Sequence, residues 1–591
     1  MVLYLLHHSP IEVNPLLNPQ ANEWGIYINI GYFQMLTDTF TPMGYSTILQ
    51  ITGLPSKYLL YVNGFLYMDL TGFVEGWLFR YLTISKFRTM ADEELAQILT
   101  EMYKTESKHY SHKEAKIAKS GIFHNFFMPI VKLLFGLYKQ KLDPVGLEAK
   151  ILEIYNEELA IEQSIMNVVN SDIDHLIEKM FAIPFDAIRV MALMKGYMQF
   201  AFRKYEAVIN MVVKCGLSEG DAEKLWQAPE ENIANRYNNM IVQLGKEIKT
   251  LGLEEKVKEF AKQRDKEAVD KWINGMRQSG EHSGEHSGEH STKQFLSIWD
   301  GLMSEFGCRC HCELDVGASR YSDIPYTVLE MALNVSEGEI TVESELVEKR
   351  KKALQAIKER VSASTFKKIE KLLPTASLFM KYREHQKYAF IRILNGYHQA
   401  LLSKGSYLVK KGLLEKEDDI FYLMVNDVLT FEKGESDGSQ FKQQVMQAKE
   451  MVKNADSFTT PRVLCKPEGL MIYLSERTRD QLQSLPEHIL KGMPTSPGIV
   501  EGTAVVATDP HSTVLKKGDI LVAKATDPSW TPLFSAASAV AIEIGGQLTH
   551  GSVVAKELGI PCVVAIPGLM TKIQNGMKIR IDGSKGIIEI L

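Results

Sequence analysis

The chain has 591 residues, of which 45% are hydrophobic, so it is long and apolar enough for more than one domain with a sizeable core. A formal net charge of -6 at pH 7 argues against a nucleic-acid-binding protein, which usually carries a basic excess. The six cysteines are too few for a disulfide framework, and neither a signal peptide nor a membrane-spanning stretch stands out, so a cytoplasmic protein is expected.

The first half of the chain predicts a small β-rich segment followed by helices. Residues 23–69 mix β-branched and aromatic side chains with turn signals, and Asn63-Gly64 between apolar flanks indicates a two-residue hairpin turn. From about Lys86 to Lys271, apolar residues recur at intervals of three and four, and Pro and Gly are few. These patterns predict mixed α and β structure first and a mainly helical region after it.

A four-residue repeat, SGEHSGEHSGEHS, runs from Ser279 to Ser291 and contains no hydrophobic residue. Such a segment cannot bury a core, so residues 279–292 are expected to form a flexible, solvated linker within one functional unit. Weak metal binding is an alternative if the segment becomes helical. Its ligands would then be three histidines, His282, His286 and His290.

The second half predicts further helices and a separate C-terminal domain. A short amphipathic helix, two longer helices, and a strand leading into a helix are expected at Phe295–Phe306, Val342–Leu373, Ala376–Lys404 and Asp418–Val428. Prolines at positions 486, 494 and 497 predict a hinge at Leu485–Pro497. The expected domains are residues 1–278 and 293–484 as one mainly helical domain with some β structure, and residues 498–591 after the hinge.

Between the repeat and the longer helices lies the sequence GCRCHCELDVGASRYSD, at Gly307–Asp323. If this segment were a strand, its three alternating cysteines would lie on one face. These cysteines and His311 could then be ligands of a metal ion. However, zinc sites usually use CxxC-type spacing, and no second ligand cluster is evident. We therefore expect no metal and mostly buried small side chains here. The cysteines concerned are Cys308, Cys310 and Cys312.

The segment GGQLTHGSVVAKELGIPCVV, Gly545–Val564, predicts a strand, a glycine-rich turn, a helix and another strand. The strands are expected at Ala539–Ile544 and Cys562–Ile566, and Gly559 is expected to end the helix. Thr549 or Ser552 would cap the helix start. His550 would then face unpaired N–H groups and the positive end of the helix dipole, which suits a histidine carrying an anionic phosphoryl group. The oxygens of this phosphoryl group would be bound by Thr549, Gly551 and Ser552.

This segment closely resembles the phosphohistidine motif of the swivelling domain that phosphoenolpyruvate synthases, pyruvate phosphate dikinases and rifampicin phosphotransferases share. The resemblance extends from about Pro494 to Leu591 and includes TSPGIVEGTAVV at Thr495–Val506 and ATDPSWTPLF at Ala525–Phe534. It implies a β/β/α swivelling domain in which His550 is phosphorylated on nitrogen and then discharged to an acceptor. An α+β multidomain protein is therefore expected, with a mainly helical acceptor domain before the swivelling domain.

A second stretch, KYREHQKYAFIRILNGYHQALL at Lys381–Leu402, is expected to be one helix that places Arg383 and Lys387 four residues apart on one face. Taken alone, such a pair is more typical of a solvated surface. Together with Leu408–Leu423, however, this stretch resembles part of the rifampicin-binding domain of rifampicin phosphotransferases, where the matching Arg and Lys meet the swivelling histidine. The resemblance implies that Arg383 grips the phosphoryl oxygens and Lys387 neutralises charge during transfer.

Two shorter segments resemble the same acceptor domain. The family pattern Gly-x-Arg-x-x-x-Glu, followed by Arg-Trp, is matched by Gly307, Arg309, Glu313 and Arg320, with Tyr321 in place of Trp. The resemblance implies that Arg309 and Glu313 pair with each other or orient the acceptor. The stretch Gln34–Met43 resembles the opening of that domain, so Gln34 is expected to face the transfer site, unless it is an ordinary polar loop residue.

Members of this family normally begin with an ATP-grasp domain that loads the histidine. None is expected before Trp24, no Walker-type P-loop is found, and no pyruvate-binding barrel is expected after Leu591. The arrangement resembles a phenylphosphate synthase subunit, in which separate polypeptides share these roles. The implied partner is a separate ATP-grasp protein that uses ATP and Mg²⁺, neither of which this chain is expected to bind firmly.

The resulting hypothesis is a phosphotransferase component of a dikinase-type system that passes a phosphoryl group from His550 to a small hydroxyl-bearing acceptor. The alternative is a non-catalytic binding or regulatory protein that retains the acceptor-binding fold. Apolar and aromatic side chains in the first segment favour an apolar or aromatic acceptor: Met35, Phe40, Met43, Phe65 and Tyr67.

Overall fold

The computed structural model describes most of the chain. The described residues are 25–31, 39–53, 56–70, 84, 92–106, 143–169, 172–184, 187–218, 222, 224–226, 232–280, 287–336, 343–455, 460–466 and 470–591, the last range without 511, 517 and 548. Gln34, Met35, His282 and His286 lie outside these ranges, as does part of the region Lys86–Lys271 that was expected to be helical.

The described part of the chain is mainly helical. In chain order the helices are α1 (Pro42–Thr52), α2 (Glu93–Glu106), α3 (Pro144–Val169), α4 (Leu176–Phe181), α5 (Ala187–Lys214), α6 (Ile233–Thr250), α7 (Glu254–Gln263), α8 (Lys266–Gly280), α9 (Ser287–Phe306), α10 (Pro325–Ser336), α11 (Glu343–Arg360), α12 (Ala363–Tyr382), α13 (His385–Lys410), α14 (Val425–Glu432), α15 (Phe441–Ala455), α16 (Glu476–Ser484), α17 (Thr531–Ala536), α18 (His550–Leu558) and α19 (Leu569–Lys572).

The strands fall into an early group and a late group. They are β1 (Gly25–Asn29), β2 (Leu59–Val62), β3 (Phe65–Asp69), β4 (Val463–Lys466), β5 (Leu470–Ile472), β6 (Ile489–Lys491), β7 (Met493–Ser496), β8 (Ile499–Ala507), β9 (Asp519–Ala523), β10 (Ala539–Ile542), β11 (Cys562–Val564), β12 (Lys578–Asp582) and β13 (Ile587–Ile590). Short 3₁₀ helices lie at Ser56–Tyr58, Lys224–Trp226, Glu417–Tyr422 and Pro528–Trp530.

The chain divides into two compact units that differ from the expected domain limits. Unit 1 comprises residues 1–197, 312–318 and 386–484, and unit 2 comprises residues 198–311, 319–385 and 485–591. The region expected to form one acceptor domain therefore contributes to both units. Much of its helical part belongs to the same unit as the C-terminal sheet.

Unit 1 contains a five-stranded antiparallel sheet with the order β2-β3-β1-β4-β5. The expected hairpin turn joins β2 and β3, and both Asn63 (φ 48°) and Gly64 (φ 83°) adopt the left-handed conformation that a tight type I′ turn requires. One face of the sheet packs on α2, through residues such as Ile28 and Leu99. In the helical part, α3 packs on α13, where a Cβ on Gly396 would lie 3.3 Å from Ile165.

Unit 2 contains an eight-stranded mixed sheet with the order β6-β13-β12-β8-β9-β10-β11-β7. Strands β8, β9, β10 and β11 are parallel, and antiparallel pairs complete both sides. All residues of β10 are buried, as expected for a parallel strand covered on both faces. The C-terminal part is thus the expected β/β/α domain, and the α+β fold class is confirmed.

The stretches expected to be a hinge and a flexible linker both contain some regular structure, and their limits stay predictions. Strands β6 and β7 pair with β13 and β11, so the stretch Leu485–Pro497, expected to be a hinge, is partly sheet. The repeat was expected to be flexible throughout, but α8 runs to Gly280 and α9 begins at Ser287. Only residues 281–286 of it lie outside the described chain.

Two local predictions were wrong, at Asp418–Val428 and at Val342–Leu373. The stretch Asp418–Val428 starts with a 3₁₀ helix because the Asp419 carboxylate accepts the N–H groups of Glu415 and Lys416 and closes the chain into a turn. The predicted helix Val342–Leu373 breaks at Ser362, whose hydroxyl caps α12. The cysteine segment forms a loop, in which the N–H groups of Tyr321 and Ser322 donate to the carbonyl oxygens of Arg309 and Gly307.

Within the described ranges, none of the helices combines the length and the hydropathy that crossing a bilayer would require.

Candidate functional site

His550 is the first residue of α18, immediately after the turn that follows β10. Thr549 occupies the N-cap position with extended backbone angles, and Gly559 ends the helix in the left-handed conformation, as predicted. Because β10 belongs to the parallel part of the sheet, this turn lies at the carboxyl end of the strands, where α/β proteins commonly bind ligands. The fold thus places the imidazole at the edge of the sheet that most often carries function.

The three residues expected to bind phosphoryl oxygens have defined places around this turn. The hydroxyls of Thr549 and Ser552 both donate to the carbonyl oxygen of Gly546, over 2.9 and 2.7 Å. Gly551 is tightly enclosed, since a Cβ there would lie 2.4 Å from Ile542 Cδ1. In this arrangement both hydroxyls therefore brace the turn, and the glycine lets the helix start pack against the sheet.

Thr531, which the sequence argument did not single out, contacts the histidine directly. Its hydroxyl oxygen lies 3.2 Å from Nε2 of His550 and the residue is buried. The ring of Phe534 meets the imidazole edge to face, with centroids 6.5 Å apart. Both residues belong to α17, which follows β9, the strand beside β10. Both residues lie in the ATDPSWTPLF stretch. The sequence motif therefore identified this segment but not the two side chains that contact the histidine.

Arg383 lies in a buried cluster of charges that reaches α18. Its Nη2 and Nε lie 3.0 and 3.3 Å from Oε1 of Glu557, and its Nη1 lies 2.5 Å from Oε1 of Glu384. The side chains of Arg383 and Glu557 are only 8% and 4% exposed. Burial raises the pKa of Glu557, an effect that Arg383 opposes and Glu384 reinforces. The arginine expected to grip the phosphoryl group is thus paired with the helix that carries His550.

The helix expected at Lys381–Leu402 is two helices, so Arg383 and Lys387 do not share one continuous face. Helix α12 ends at Tyr382, Arg383 is its C-cap, and α13 begins at His385. Neither Gly nor Pro marks the break, but it coincides with the buried ion pairs of Arg383. The spacing of apolar residues, from which the helix was predicted, contains no information on such tertiary contacts.

Lys387 and Glu313, both in unit 1, form an ion pair. Lys387 Nζ lies 2.8 Å from Oε2 of Glu313, whose side chain is 1% exposed, whereas that of Lys387 is 34% exposed. Two residues predicted for different roles, one a cation for the phosphoryl group and one an acceptor ligand, are therefore brought together. The sequence contained no signal for this pairing, because the two residues lie far apart along the chain.

Arg309 is buried in unit 2, where its guanidinium lies over the rings of Tyr237 and Phe306, 5.2 and 5.6 Å from their centroids. Nearby in sequence, Arg320 Nη1 lies 2.9 Å from Cys310 Sγ, and His311 Nδ1 lies 3.4 Å from Asp527 Oδ2. Cys308 and Cys310 are buried, as expected, whereas Cys312 is only partly buried. Among the described residues, no group of three His, Cys, Asp or Glu side chains could hold a metal ion.

Comparison with known proteins agrees with the geometry. The family model of the PEP-utilising enzyme mobile domain matches residues 515–586, which include Thr531, His550 and Glu557. The model of the rifampicin phosphotransferase fourth domain matches residues 190–384, which include Arg309 and Arg383. The two matches thus fall on the two segments that meet at the Arg383–Glu557 ion pair.

Individual relatives show the same pattern. Rifampicin phosphotransferase of Bacillus cereus is 26% identical over 611 residues, covering 100% of this chain and 65% of that protein. The namesake from Streptomyces sviceus is 33% identical over 302 residues, covering 49% of this chain and 34% of the relative. The probable phosphoenolpyruvate synthase of Staphylothermus marinus is 41% identical over 103 residues, or 17% and 12% of the two chains.

Among solved structures, the crystal structure of Thermococcus kodakaraensis aconitase X (holo-form) covers 17% of this chain and 98% of its own, with 21% identity and a TM-score of 0.15. This chain spans 65% of the length of the Bacillus cereus rifampicin phosphotransferase. By the family models and the relatives above, the chain is similar to the rifampicin phosphotransferases, and its residues 515–586 are similar to the mobile domain of PEP-utilising enzymes.

Proposed function

We propose that this protein is a phosphotransferase in which His550 carries the phosphoryl group and passes it to a hydroxyl of a small acceptor. The observation that supports the proposal most strongly is the position of His550 at the start of α18, at the carboxyl end of the parallel strands and inside the segment that matches the mobile domain. An imidazole in this place has backbone N–H groups of the helix start beside it, which suit an anionic cargo.

The proposed chemistry consists of two displacements at phosphorus. In the first, an imidazole nitrogen of His550 attacks the phosphoryl group of the donor; an N–P bond forms and the P–O bond to the donor breaks. In the second, the acceptor hydroxyl attacks the same phosphorus; a P–O bond forms, the N–P bond breaks, and the hydroxyl proton passes to a base or water. Such transfers depend mainly on positioning and on stabilising charge on the phosphoryl oxygens.

Arg383 and Lys387 are proposed to supply that charge in the second step. Each is held by a carboxylate, Arg383 by Glu557 and Lys387 by Glu313. Phosphoryl oxygens are themselves anionic, so they can replace a carboxylate as the partner of either cation. The role therefore requires the exchange of an existing ion pair. Arg309 and Glu313 are proposed to orient the acceptor, as is Gln34, which lies outside the described residues.

The donor is proposed to be ATP, delivered with Mg²⁺ by a separate ATP-grasp protein. The described residues contain no group of carboxylates or imidazoles fit to hold a metal ion, so no step is assigned to a metal held by this part of the chain. Mg²⁺ usually binds nucleotide phosphates together with only one or two carboxylates, which the donor protein would supply.

The acceptor is proposed to be an apolar or aromatic hydroxyl compound, in keeping with the name of the relatives. The side chains that suggested this class give it no support, because they form the core of unit 1. Four of them are at most 7% exposed: Phe40, Met43, Phe65 and Tyr67. The fifth, Met35, lies outside the described residues.

A direct test uses phosphoramidate, a small chemical donor for histidine, so that no partner protein is needed. The full chain is treated with it, and ³¹P NMR and mass spectrometry locate the phosphoryl group. We expect an acid-labile phosphohistidine at residue 550, absent from His550→Gln, that transfers to an added aromatic alcohol or phenol. A protein that takes up no phosphoryl group at His550 would instead be a non-catalytic binding protein. The ATP-grasp partner is then tested by adding candidate proteins with γ-labelled ATP.

A further inference from the structure

Within the segment Gly307–Asp323, residues 312–318 belong to unit 1 and carry two carboxylates, Glu313 and Asp315. We call residues 312–318 the acidic loop. Its first half is a turn, in which the N–H of Asp315 donates to the carbonyl oxygen of Cys312 over 2.9 Å. Glu313 lies inside this turn, so a shift of Asp315 would shift Glu313 as well.

Asp315 binds the acidic loop to the start of α1. Its Oδ2 accepts the backbone N–H of Thr41 over 2.7 Å, and its Oδ1 accepts the Thr41 hydroxyl over 2.8 Å. Thr41 is the N-cap residue of α1, so the carboxylate also lies at the positive end of the helix dipole. Asp315 is 2% exposed. Because both oxygens accept hydrogen bonds, the carboxylate is fixed in orientation as well as in position.

Two glycines leave room for this contact. A Cβ on Gly44 would lie 1.9 Å from Oδ1 of Asp315, and a Cβ on Gly317 would lie 2.4 Å from Oγ1 of Thr41. The N–H of Gly317 also donates to Oδ1 of Asp315, over 2.8 Å. The acidic loop and the start of α1 therefore fit together closely, with Asp315 between them.

The acidic loop also contacts α13 at two places. Glu313, whose side chain is 1% exposed, pairs with Lys387 in the first turn of that helix over 2.8 Å. Farther along the helix, Nδ1 of His398 donates to the carbonyl oxygen of Val316 over 2.6 Å. Lys387 and His398 lie about three turns apart, on the same side of α13. The loop therefore connects the start of α1 to the side of α13 that carries Lys387.

The position of Lys387 matters in the second displacement of the proposed reaction. There the acceptor oxygen bonds to phosphorus, the bond from phosphorus to the nitrogen of His550 breaks, and the hydroxyl proton passes to a base or water. A cation stabilises the phosphoryl oxygens best when it is already in place, and a misplacement of about 1 Å can cost about a hundredfold in rate. The partner of Lys387 is a carboxylate of the acidic loop, so the loop determines where Lys387 is held.

We propose that Asp315 is a positioning residue for transfer to the acceptor: by binding Thr41 it holds the acidic loop, and the loop places Glu313 and hence Lys387. Loading of His550 does not depend on it. The inference rests on the proposed function for the role of Lys387. The link from Asp315 to Lys387 does not, because it concerns the position of an ammonium group that an amine reagent can report.

The link is tested by the rate at which acetic anhydride acetylates Lys387 in the full-length protein, with the exposed Lys433 as an internal reference. In Asp315→Asn, the N–H of Thr41 or of Gly317 loses its acceptor whichever way the amide faces. We expect acetylation of Lys387 to become about threefold to tenfold faster, the effect of losing one hydrogen bond. Equal rates in the wild type and Asp315→Asn would overturn the proposal.

Transfer is measured on protein that is first phosphorylated at His550 with phosphoramidate and then mixed with phenol, by the ³¹P NMR signal of phenyl phosphate. We expect Asp315→Asn to transfer roughly tenfold to a hundredfold more slowly than the wild type and to be loaded at the wild-type rate. In a Lys387→Met background, Asp315→Asn should slow transfer no further, since its effect passes through Lys387. Additive losses would overturn the proposal, because Asp315 would then act on the fold in general.

Variants of Thr41 keep the test valid if Asp315→Asn folds poorly. Thr41→Val lacks the hydroxyl that donates to Asp315 and should change acetylation and transfer in the same direction as Asp315→Asn. Thr41→Ser keeps the hydroxyl and should match the wild type. Wild-type transfer by Thr41→Val would count against the proposal.

The matched control is Asp92→Asn. Asp92 is likewise a buried carboxylate of unit 1 at a helix start, where it accepts the N–H of Glu94 and pairs with Arg462. Its loss should lower stability in urea but leave acetylation of Lys387 and transfer unchanged. If Asp92→Asn slowed transfer as much as Asp315→Asn, the effect would be one of stability and the proposal would be wrong.

The two measurements separate this inference from the proposed function. If Lys387 is acetylated faster in Asp315→Asn but the wild type passes no phosphoryl group to phenol, the link stands and the phosphotransferase proposal fails. If the wild type and Asp315→Asn transfer equally fast, the phosphotransferase proposal stands and the role of Asp315 fails.

Discussion

The hydroxyl oxygen of Thr531 lies 3.2 Å from Nε2 of His550, and the two residues follow neighbouring parallel strands, β9 and β10. This contact orients the imidazole, whichever of the two atoms donates the proton. Thr531→Val should therefore slow the phosphorylation of His550 roughly fivefold, the effect of losing a hydrogen bond of about 1 kcal/mol. Thr531→Ser should retain most of the rate. Phosphohistidine formation with phosphoramidate measures both, and ¹⁵N NMR of the imidazole should show an altered tautomer ratio in the Val variant alone.

Gly551, the second residue of α18, allows the helix start to approach the sheet. A Cβ at this position would lie 2.4 Å from Ile542 Cδ1 and 2.5 Å from Thr526 Oγ1. Gly551→Ala should destabilise the fold by about 1–3 kcal/mol, as overpacking usually does, and should slow phosphorylation because His550 shifts with the helix. The control is Gly275→Ala in α8, where a Cβ meets nothing within 4 Å. That variant should be neutral or slightly stabilised in chemical denaturation.

A buried ion pair outside the candidate site holds the helices of unit 1 together. The side chains of Lys404 and Glu432 are both 0% exposed and 2.7 Å apart, and the Glu432 carboxylate also accepts the N–H groups of Ile177 and Glu178 at the start of α4. Lys404→Met should cost about 3–5 kcal/mol, because it leaves a buried carboxylate without its cation.

The double variant Lys404→Met/Glu432→Gln should lose less stability than the sum of its single variants, since it removes both charges. Urea denaturation of all three variants gives this coupling. Additive losses would mean that the two side chains stabilise unit 1 independently.

Local sequence signals predicted those parts of the structure that depend on local conformation. Asn63-Gly64 specified its hairpin because both residues tolerate the left-handed region that the turn requires. Gly559 ended the helix of His550 because a left-handed C-cap is decided within a few residues, and Thr549 took the N-cap position although its hydroxyl donates to Gly546 and makes no capping hydrogen bond. His550 itself could be found because the surrounding motif is contiguous.

Contacts between distant residues could not be predicted in this way. Strand β1 pairs with β4, more than 400 residues later, and a single sequence carries no record of that register. The partners of Arg383 and Lys387, which are Glu557 and Glu313, also lie on other segments of the chain. The stretch Lys381–Leu402 was expected to be one continuous helix, yet it breaks where Arg383 forms its ion pairs. Ion pairs between distant residues accompany the break in this helix, and the spacing of residues along the chain does not predict such pairs.

Glu158 on α3 should make the stability of unit 1 depend on pH. Its side chain is fully buried, neither carboxylate oxygen has a hydrogen-bond partner among the described residues, and burial, reinforced by Glu157, raises its pKa from 4.5 to about 8. Between these values the folded protein keeps a proton that the unfolded chain has released, so the stability due to this residue is fully present below pH 4.5 and is lost as pH rises towards 8. The slope due to this residue is at most about 1.4 kcal/mol per pH unit.

The variant Glu158→Gln should lack this pH dependence, while the variant Glu153→Gln, at an exposed position, should keep it. Urea denaturation at pH 5.5, 6.5 and 7.5 measures the difference, and parallel profiles of wild type and Glu158→Gln would show that Glu158 is ionised in the folded protein.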